Sequence, residues 1–268
     1  MVTLNQAFRT VVIERRLPWR LENWLTNQPH IHWWLHRRWL MKSRRLYARF
    51  VHRGDLVFDI GANIGEQTSA FLHYGARVIC VEPDERNLSR LHEAFGFHPD
   101  VRIVAAGVGE AVGRGVFFSS PDSSRSTFDP QSMRTVDGCV FHREAEVPIV
   151  TLDALIAGHG MPTFIKIDVE GYEPKVLRGL SHPVAALSFE FHGTLFDHLE
   201  ACVSHLRGLG LDWFNVVLYP IHGSKPFHAV GEMYYPQHVE ARTLLADLER
   251  LRGQHTLAGD IYASHFVQ

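Results

Sequence analysis

A short apolar run that empties into two glycines constrains this chain more than any other feature: residues 57–65 read VFDIGANIG. Such a run ends in a tight turn, because glycine reaches backbone angles that side chains forbid and leaves no Cβ in the way of a neighbour. Downstream, short apolar runs alternate with helix-period stretches. That is the pattern of an α/β fold, a mostly parallel sheet with helices on both faces. Leu56–Ile60, Arg77–Val81 and residues 101–106, 164–169, 187–191, 214–219 and 260–266 are the seven expected strands. Helices are expected up to Tyr74, from Asp84 to Gly96, from about 170 to Gly179, around Leu195, Leu199 and Leu206, and over 239–251. Residues 115–119 and 147–151 read as added strands around a Ser-rich loop, SSPDSSRS (119–126), so 107–150 is an expected insertion that could form a substrate lid.

An open sheet of this kind binds ligands at the carboxyl ends of its strands. The turn reads Asp59-x-Gly61-x-Asn63-x-Gly65 and lacks the three-glycine order of a dinucleotide fingerprint, which argues against a pyrophosphate ligand. Glu82 follows Gly61 by twenty-one residues and ends the second run, VICVEPD. An acid there can accept from both hydroxyls of a ribose. A ribose without a pyrophosphate describes S-adenosylmethionine. The plainer reading is a tight turn with a surface Glu. A nicotinamide-dependent oxidoreductase on a similar sheet would want the third glycine and a Tyr-x-x-x-Lys pair, both missing here. A non-catalytic cofactor-binding partner protein is the alternative outside enzymes.

Two further stretches carry ionisable residues inside apolar runs. KIDVEGYE (166–173) sets Lys166, Asp168, Glu170 and Glu173 around the end of one strand, and SFEFH (188–192) ends the next with Glu190 and His192. Alternation places Lys166 with Asp168, and Glu190 with His192. Buried charges need partners, so a paired site is expected there. His192 and Asp168 are candidate general bases, since a positioned base can take a hydroxyl proton. Alternatively, Asp168, Glu170 and His192 could hold a divalent metal that lowers the hydroxyl's pKa. A structural Lys–carboxylate pair is the plainer reading.

VFDIGANIG, VEPD, VTLDAL (150–155) and FIKIDVEGYEPKVLRGL (164–180) together resemble the FkbM family of S-adenosylmethionine-dependent methyltransferases, over roughly residues 55–192. The resemblance implies the Rossmann-like class I methyltransferase fold and O-methylation of a sugar or of a secondary-metabolite hydroxyl; a lipid-linked glycan would suit as acceptor if the N-terminal segment lay on a membrane. It implies that Asp59, Gly61 and Gly65 line the methionine end, with Asn63 beside them. Glu82, next to Pro83, would hold the ribose, and Ala106 and Gly107 would lie near the adenine. Asp168 could hold the cofactor's amino group, and Glu170 joins the catalytic set.

Composition separates the first fifty residues from the rest. Residues 1–50 hold ten Lys/Arg and two acids, which leaves 17 and 27 for residues 51–268. Five of the six tryptophans fall in the same segment, mostly in HIHWWLHRRWLMKSRRLYARF (30–50). That segment reads as a helical extension ahead of a methyltransferase domain at 51–268. It could pack on that domain or on a second subunit, or lie on an anionic membrane surface. Nucleic acid is not an expected partner, because the remainder offers no positive surface for phosphates. Cys80, Cys139 and Cys202 show neither metal nor disulfide spacing, and no apolar run is long enough to span a membrane, so a cytoplasmic protein is expected.

Overall fold

In a computed structural model, the described residues are 46–220, 233, 235, 237–250 and 257–265. The chain runs from β1 (Leu56–Ile60) through a glycine turn into α1 (Glu66–His73), β2 (Arg77–Val81), α2 (Glu85–Phe95) and β3 (Val101–Val104). An insertion follows, with β4 (Gly107–Val108), β5 (Gly113–Ser119), α3 (Pro130–Asp137) and β6 (Arg143–Val150). Then come α4 (Leu152–His159), β7 (Phe164–Ile167), α5 (Glu173–Arg178), β8 (Ala186–His192), α6 (Phe196–Gly208) and β9 (Trp213–Pro220). The last elements are β10 (Val239–Glu240), α7 (Ala241–Glu249) and β11 (Leu257–Ser264).

The main sheet has the order β10-β9-β11-β8-β7-β1-β2-β3. Strands β3, β2, β1, β7 and β8 pair in parallel, whereas β11 runs antiparallel to both β8 and β9. Every residue of β1 is buried, as expected for a strand covered on both faces. Alternation sends Leu56, Phe58 and Ile60 into one core and Val57 into the other. Because β2 lies on one side of β1 and β7 on the other, the order switches at β1. A crevice therefore opens at the carboxyl end of β1.

All seven expected strands form. Several change at their ends: the run 164–169 stops as a strand at Ile167, and the last strand starts at Leu257. The run 101–106 does not continue as one strand: β3 stops at Val104, and Gly107 pairs instead with Ile149 in a second sheet, β4-β6-β5. The expected helix 239–251 starts at Ala241, since Val239 and Glu240 pair with Phe214 and Trp213. Two helices went unread although both carry start signals. Asp129 accepts from the Ser132 N–H at 3.1 Å ahead of Pro130, and Thr151 accepts from the Ala154 N–H at 3.0 Å. The expected cap at Asp84 is present, accepting from the Arg86 N–H at 2.9 Å.

Leu46, Tyr47 and Phe50, counted with the extension by composition, belong to the second core. Tyr47 packs 4.6 Å from Phe71 between ring centroids, and Phe50 stacks on Tyr262 at 5.4 Å. Residues 1–45, with most of the basic and Trp-rich stretch, lie outside the described residues. Among the described residues, no helix is long and apolar enough to cross a membrane.

Candidate functional site

The turn after β1 is built by two glycines with different duties. Gly61 takes φ +75°, and a Cβ there would stand 1.8 Å from the Asp168 carbonyl oxygen. Its absence lets the turn after β1 pass directly under the turn after β7. Gly65, at φ +87°, faces α2 instead, where a Cβ would meet the Phe95 ring at 2.3 Å. Gly61 lines the crevice, and Gly65 supports it from behind. Between them, Asn63 adopts φ +50°, a sparsely populated conformation for a residue with a side chain. Three hydrogen bonds explain why it is held there. Gly61 and Ala62 donate to the Val81 carbonyl at 2.9 and 3.1 Å, and Asn63 donates its N–H to Glu82 Oε2 at 2.8 Å.

Glu82 Oε1 accepts from the Asp84 N–H at 2.9 Å, so both carboxylate oxygens are fixed by backbone donors. Burial pushes this carboxyl up to about 7, against the pull of those hydrogen bonds. Glu82 faces the crevice with Pro83 and Asn87 beside it, and Ala106, Gly107, Phe117 and Phe128 make the apolar wall. Gly107 has to be small, because a Cβ would stand 2.3 Å from Phe128. Asn63 Oδ1 and Asn87 Oδ1 are buried and have no hydrogen-bond partner among the described residues.

The Ser-rich loop closes one side of the crevice through Ser123, Ser124 and Ser126. It is pinned by the start of α2. Arg86 donates to Asp84 and, at 2.8 Å, to the Ser120 carbonyl, while Ser126 Oγ donates to Asp84 Oδ2 at 3.3 Å. Thr127 Oγ1 donates to the Glu170 carbonyl at 2.8 Å and joins the loop to the end of β7.

Asp59 lies below this surface and does not line it. Its carboxylate accepts from Thr68 Oγ1 at 2.7 Å on the α1 side of the sheet, and burial pushes it up to about 6. Alternation along β1 accounts for the direction, since Asp59 shares the Val57 face.

At the ends of β7 and β8 the ionisable residues separate into two groups. In the first, Lys166 is fully buried, with Nζ 3.2 Å from Asp168 Oδ2 and 3.4 Å from Asp260 Oδ1. Burial alone would lower its pKa, but the carboxylates of Asp168, Asp260 and Glu190 outweigh that and hold it well above the usual lysine range. Asp168 keeps 32% of its side chain exposed and lines the crevice. In the second group, Glu170, Glu190 and His192 are all buried, and one ligand atom from each falls within 4.8 Å of the others. His192 Nε2 stands 3.5 Å from Glu190 Oε2. Burial opposes a charged imidazole, yet Glu190 first, then Glu170 and Glu173, lift His192 to about 9.

Of the candidates read from sequence, Gly61, Asn63, Glu82, Pro83, Ala106, Gly107, Asp168 and Glu170 share the crevice wall. His192 sits one layer behind, only 6% exposed. The trio Asp168, Glu170 and His192 is not a cluster, because Asp168 turns to Lys166 and Glu190 takes its place. Asn87, Phe117 and Phe128 went unread. Nothing in a single sequence marks them, although Asn87 lies in the first turn of α2, beside Glu82.

The chain matches the Methyltransferase FkbM domain over residues 59–212. It is 26% identical over 151 residues to the hexuronic acid methyltransferase AglP of Haloferax volcanii, a match covering 54% of this chain and 58% of that protein. The chain thus spans less than two thirds of this relative's length. Among solved structures, it is similar to a precorrin-6y C5,15-methyltransferase from Geobacter metallireducens, with a TM-score of 0.41 and 12% identity over 89% of each chain. It is also similar to a precorrin 8W decarboxylase from Methanobacterium thermoautotrophicum, with a TM-score of 0.44 and 14% identity over 84% of this chain and 90% of the other.

Proposed function

The chain belongs to the FkbM methyltransferase family, and on that basis we propose that it transfers a methyl group from S-adenosylmethionine to a hydroxyl of a saccharide or secondary metabolite. The observation that carries the cofactor reading is Glu82: a buried carboxylate facing the crevice, both oxygens fixed by backbone N–H groups. Beyond these bonds and one to the Asn87 side chain the carboxylate keeps acceptor capacity toward the crevice, and a ribose diol offers O–H donors. The unpartnered Asn63 Oδ1 and Asn87 Oδ1 in the same wall also suit a polar ligand. The apolar wall of Ala106, Gly107 and Phe128 suits an adenine. A relative named for hexuronic acid methylation supports a saccharide as acceptor.

Bound here, S-adenosylmethionine would supply a methyl group already activated by its sulfonium. The protein's task is then to hold the two partners in line and to receive one proton. Glu82 would hold the ribose, and the turn at Gly61 and Asn63 would set the height of the cofactor against β7. Asp168 is the base candidate that reaches the crevice, and it would accept the acceptor's hydroxyl proton. Lys166 orients that carboxylate from beneath.

Thermal-shift comparison of S-adenosylmethionine, S-adenosylhomocysteine and NAD(H) tests the cofactor. A ligand at a hundred times its Kd adds about 2.7 kcal/mol, which raises Tm visibly. A shift with the two adenosyl sulfur compounds alone is expected, and a shift with NAD(H) alone overturns the reading. Transfer of a labelled methyl group is then assayed on hexuronate-containing oligosaccharides, neutral oligosaccharides and polyhydroxylated metabolites. Label on the uronic or neutral sugars supports the saccharide, and label on none of the panel sinks the acceptor class.

A further inference from the structure

We propose that Glu170, Glu190 and His192 bind a divalent first-row metal ion at the carboxyl ends of β7 and β8. One ligand atom from each side chain lies within 4.8 Å of the others. Around a tetrahedral ion with bonds of about 2.0–2.2 Å, ligand atoms stand about 3.3–3.6 Å apart, so side-chain shifts of about an ångström close the site. The three side chains are 3%, 3% and 6% exposed. Burying two carboxylates and an imidazole together is costly unless the group is neutralised or coordinates a cation.

His192 supplies an independent reason. It is more than nine-tenths buried, yet neither ring nitrogen has a hydrogen-bond partner among the described residues. Its Nε2 points at Glu190 Oε2 from 3.5 Å, too far for a good hydrogen bond and suitable for an ion between them. The neighbouring cation, Lys166, feels the Glu190 carboxylate but makes its ion pairs with Asp168 and Asp260.

The donor set of one imidazole and two carboxylates suits Mn²⁺, Fe²⁺ or Zn²⁺ better than a thiolate-preferring ion. Glu170 fixes where the ion would act, because it belongs both to this cluster and to the crevice wall. Its backbone, at φ +54°, turns the chain sharply there, and Thr127 anchors its carbonyl. An ion on Glu170 would border the space next to Asp168 where an acceptor hydroxyl enters, and would favour that hydroxyl's deprotonation. This last consequence rests on the methyltransferase reading; the binding of the ion does not.

The test uses the full chain, treated with chelator and dialysed, titrated with MnCl₂ and separately ZnCl₂ by calorimetry, with Mn²⁺ binding also followed by electron paramagnetic resonance. One ion per chain is expected, with affinity at least tenfold weaker in both His192→Ala and Glu190→Gln. Glu190→Gln preserves shape and carries the test if His192→Ala fails to fold. No binding of either ion to the wild type, or binding within twofold of wild type in a folded variant, overturns the site. S-adenosylhomocysteine affinity is measured on the same samples. Its loss without loss of metal would discredit the cofactor reading alone, and the converse would discredit the metal site alone.

Discussion

Asn63 donates its backbone N–H to Glu82 Oε2 at 2.8 Å, tying the turn after β1 to the end of β2. The left-handed conformation of Asn63, the burial of Glu82 and the shape of the crevice floor all meet in that bond. Glu82→Ala should therefore remove the ribose partner and loosen the turn together. Hydrogen bonds to a charged group contribute about 1.5–3 kcal/mol, so S-adenosylhomocysteine affinity should fall about 10- to 150-fold. Calorimetry on the folded variant checks this, and affinity within threefold of wild type removes Glu82 from the site.

Cofactor binding should also depend on pH through the same residue. Burial holds Glu82 up near 7 in the free protein, and ribose hydroxyls donate best to the ionised form. Affinity for S-adenosylhomocysteine should rise from pH 6 to pH 8, with protons released on binding below pH 7. Calorimetry in buffers of different ionisation enthalpy reads the release directly. An affinity that is flat across that range contradicts the assignment.

Stability of the ligand-free protein should run the other way. Burial raises Asp59 to about 6 and Glu82 to about 7, so between the unfolded carboxyl pKa and these values the native state binds more protons than the unfolded state. Their contribution to stability is full at low pH and is lost as pH rises through that window. Asp59→Asn, which keeps an acceptor for Thr68, should flatten the fall of Tm between pH 5 and 7.5. An unchanged slope in scanning calorimetry would show that Asp59 titrates normally.

The two glycines of the turn should tolerate alanine unequally. Both positions carry a left-handed penalty of about 1–2 kcal/mol. At Gly61 the added Cβ also meets the Asp168 backbone carbonyl, whereas at Gly65 it meets the Phe95 ring, which can move. Urea unfolding should place Gly61→Ala below Gly65→Ala in stability, with cofactor binding abolished only in the former. Equal losses for both would mean that the turn yields more easily than its contacts suggest.

Lys166→Met leaves Asp168 and Asp260 without their shared cation, a change that typically costs about 3–5 kcal/mol. Adding Asp260→Asn should recover part of that loss, because one uncompensated carboxylate is gone. Denaturant titration of the single and double variants measures the recovery, and simple additivity would rule out the coupling.

The placement of Asp168 and His192 marks where sequence reading ends. Alternation along a strand is a local rule, and it paired Lys166 with Asp168 and Glu190 with His192 correctly. Which pair reaches the crevice is not local. Asp168 lies just past the end of β7 and faces the crevice, whereas His192 is still within β8, covered by its neighbours. Asp59 carries the same lesson: its place in the motif is visible in the string, but its burial toward Thr68 depends on which face of β1 receives α1.

Short-range physics is legible in the string alone: apolar runs of strand length, glycines where the backbone must turn left, Asp84 at a helix start, and acids at strand ends. Those signals were sufficient for the α/β sheet and for Gly61, Glu82 and Asp168 of the crevice wall, while Ala106 and Gly107 came through the family resemblance. The antiparallel insertion of β11 between β8 and β9 was decided by the tertiary structure, as were the second sheet at β4 and the grouping of Glu170 with Glu190 and His192. Each of these joins residues far apart in the chain, and the energy that selects them comes from burying and pairing groups that meet only after the chain has folded.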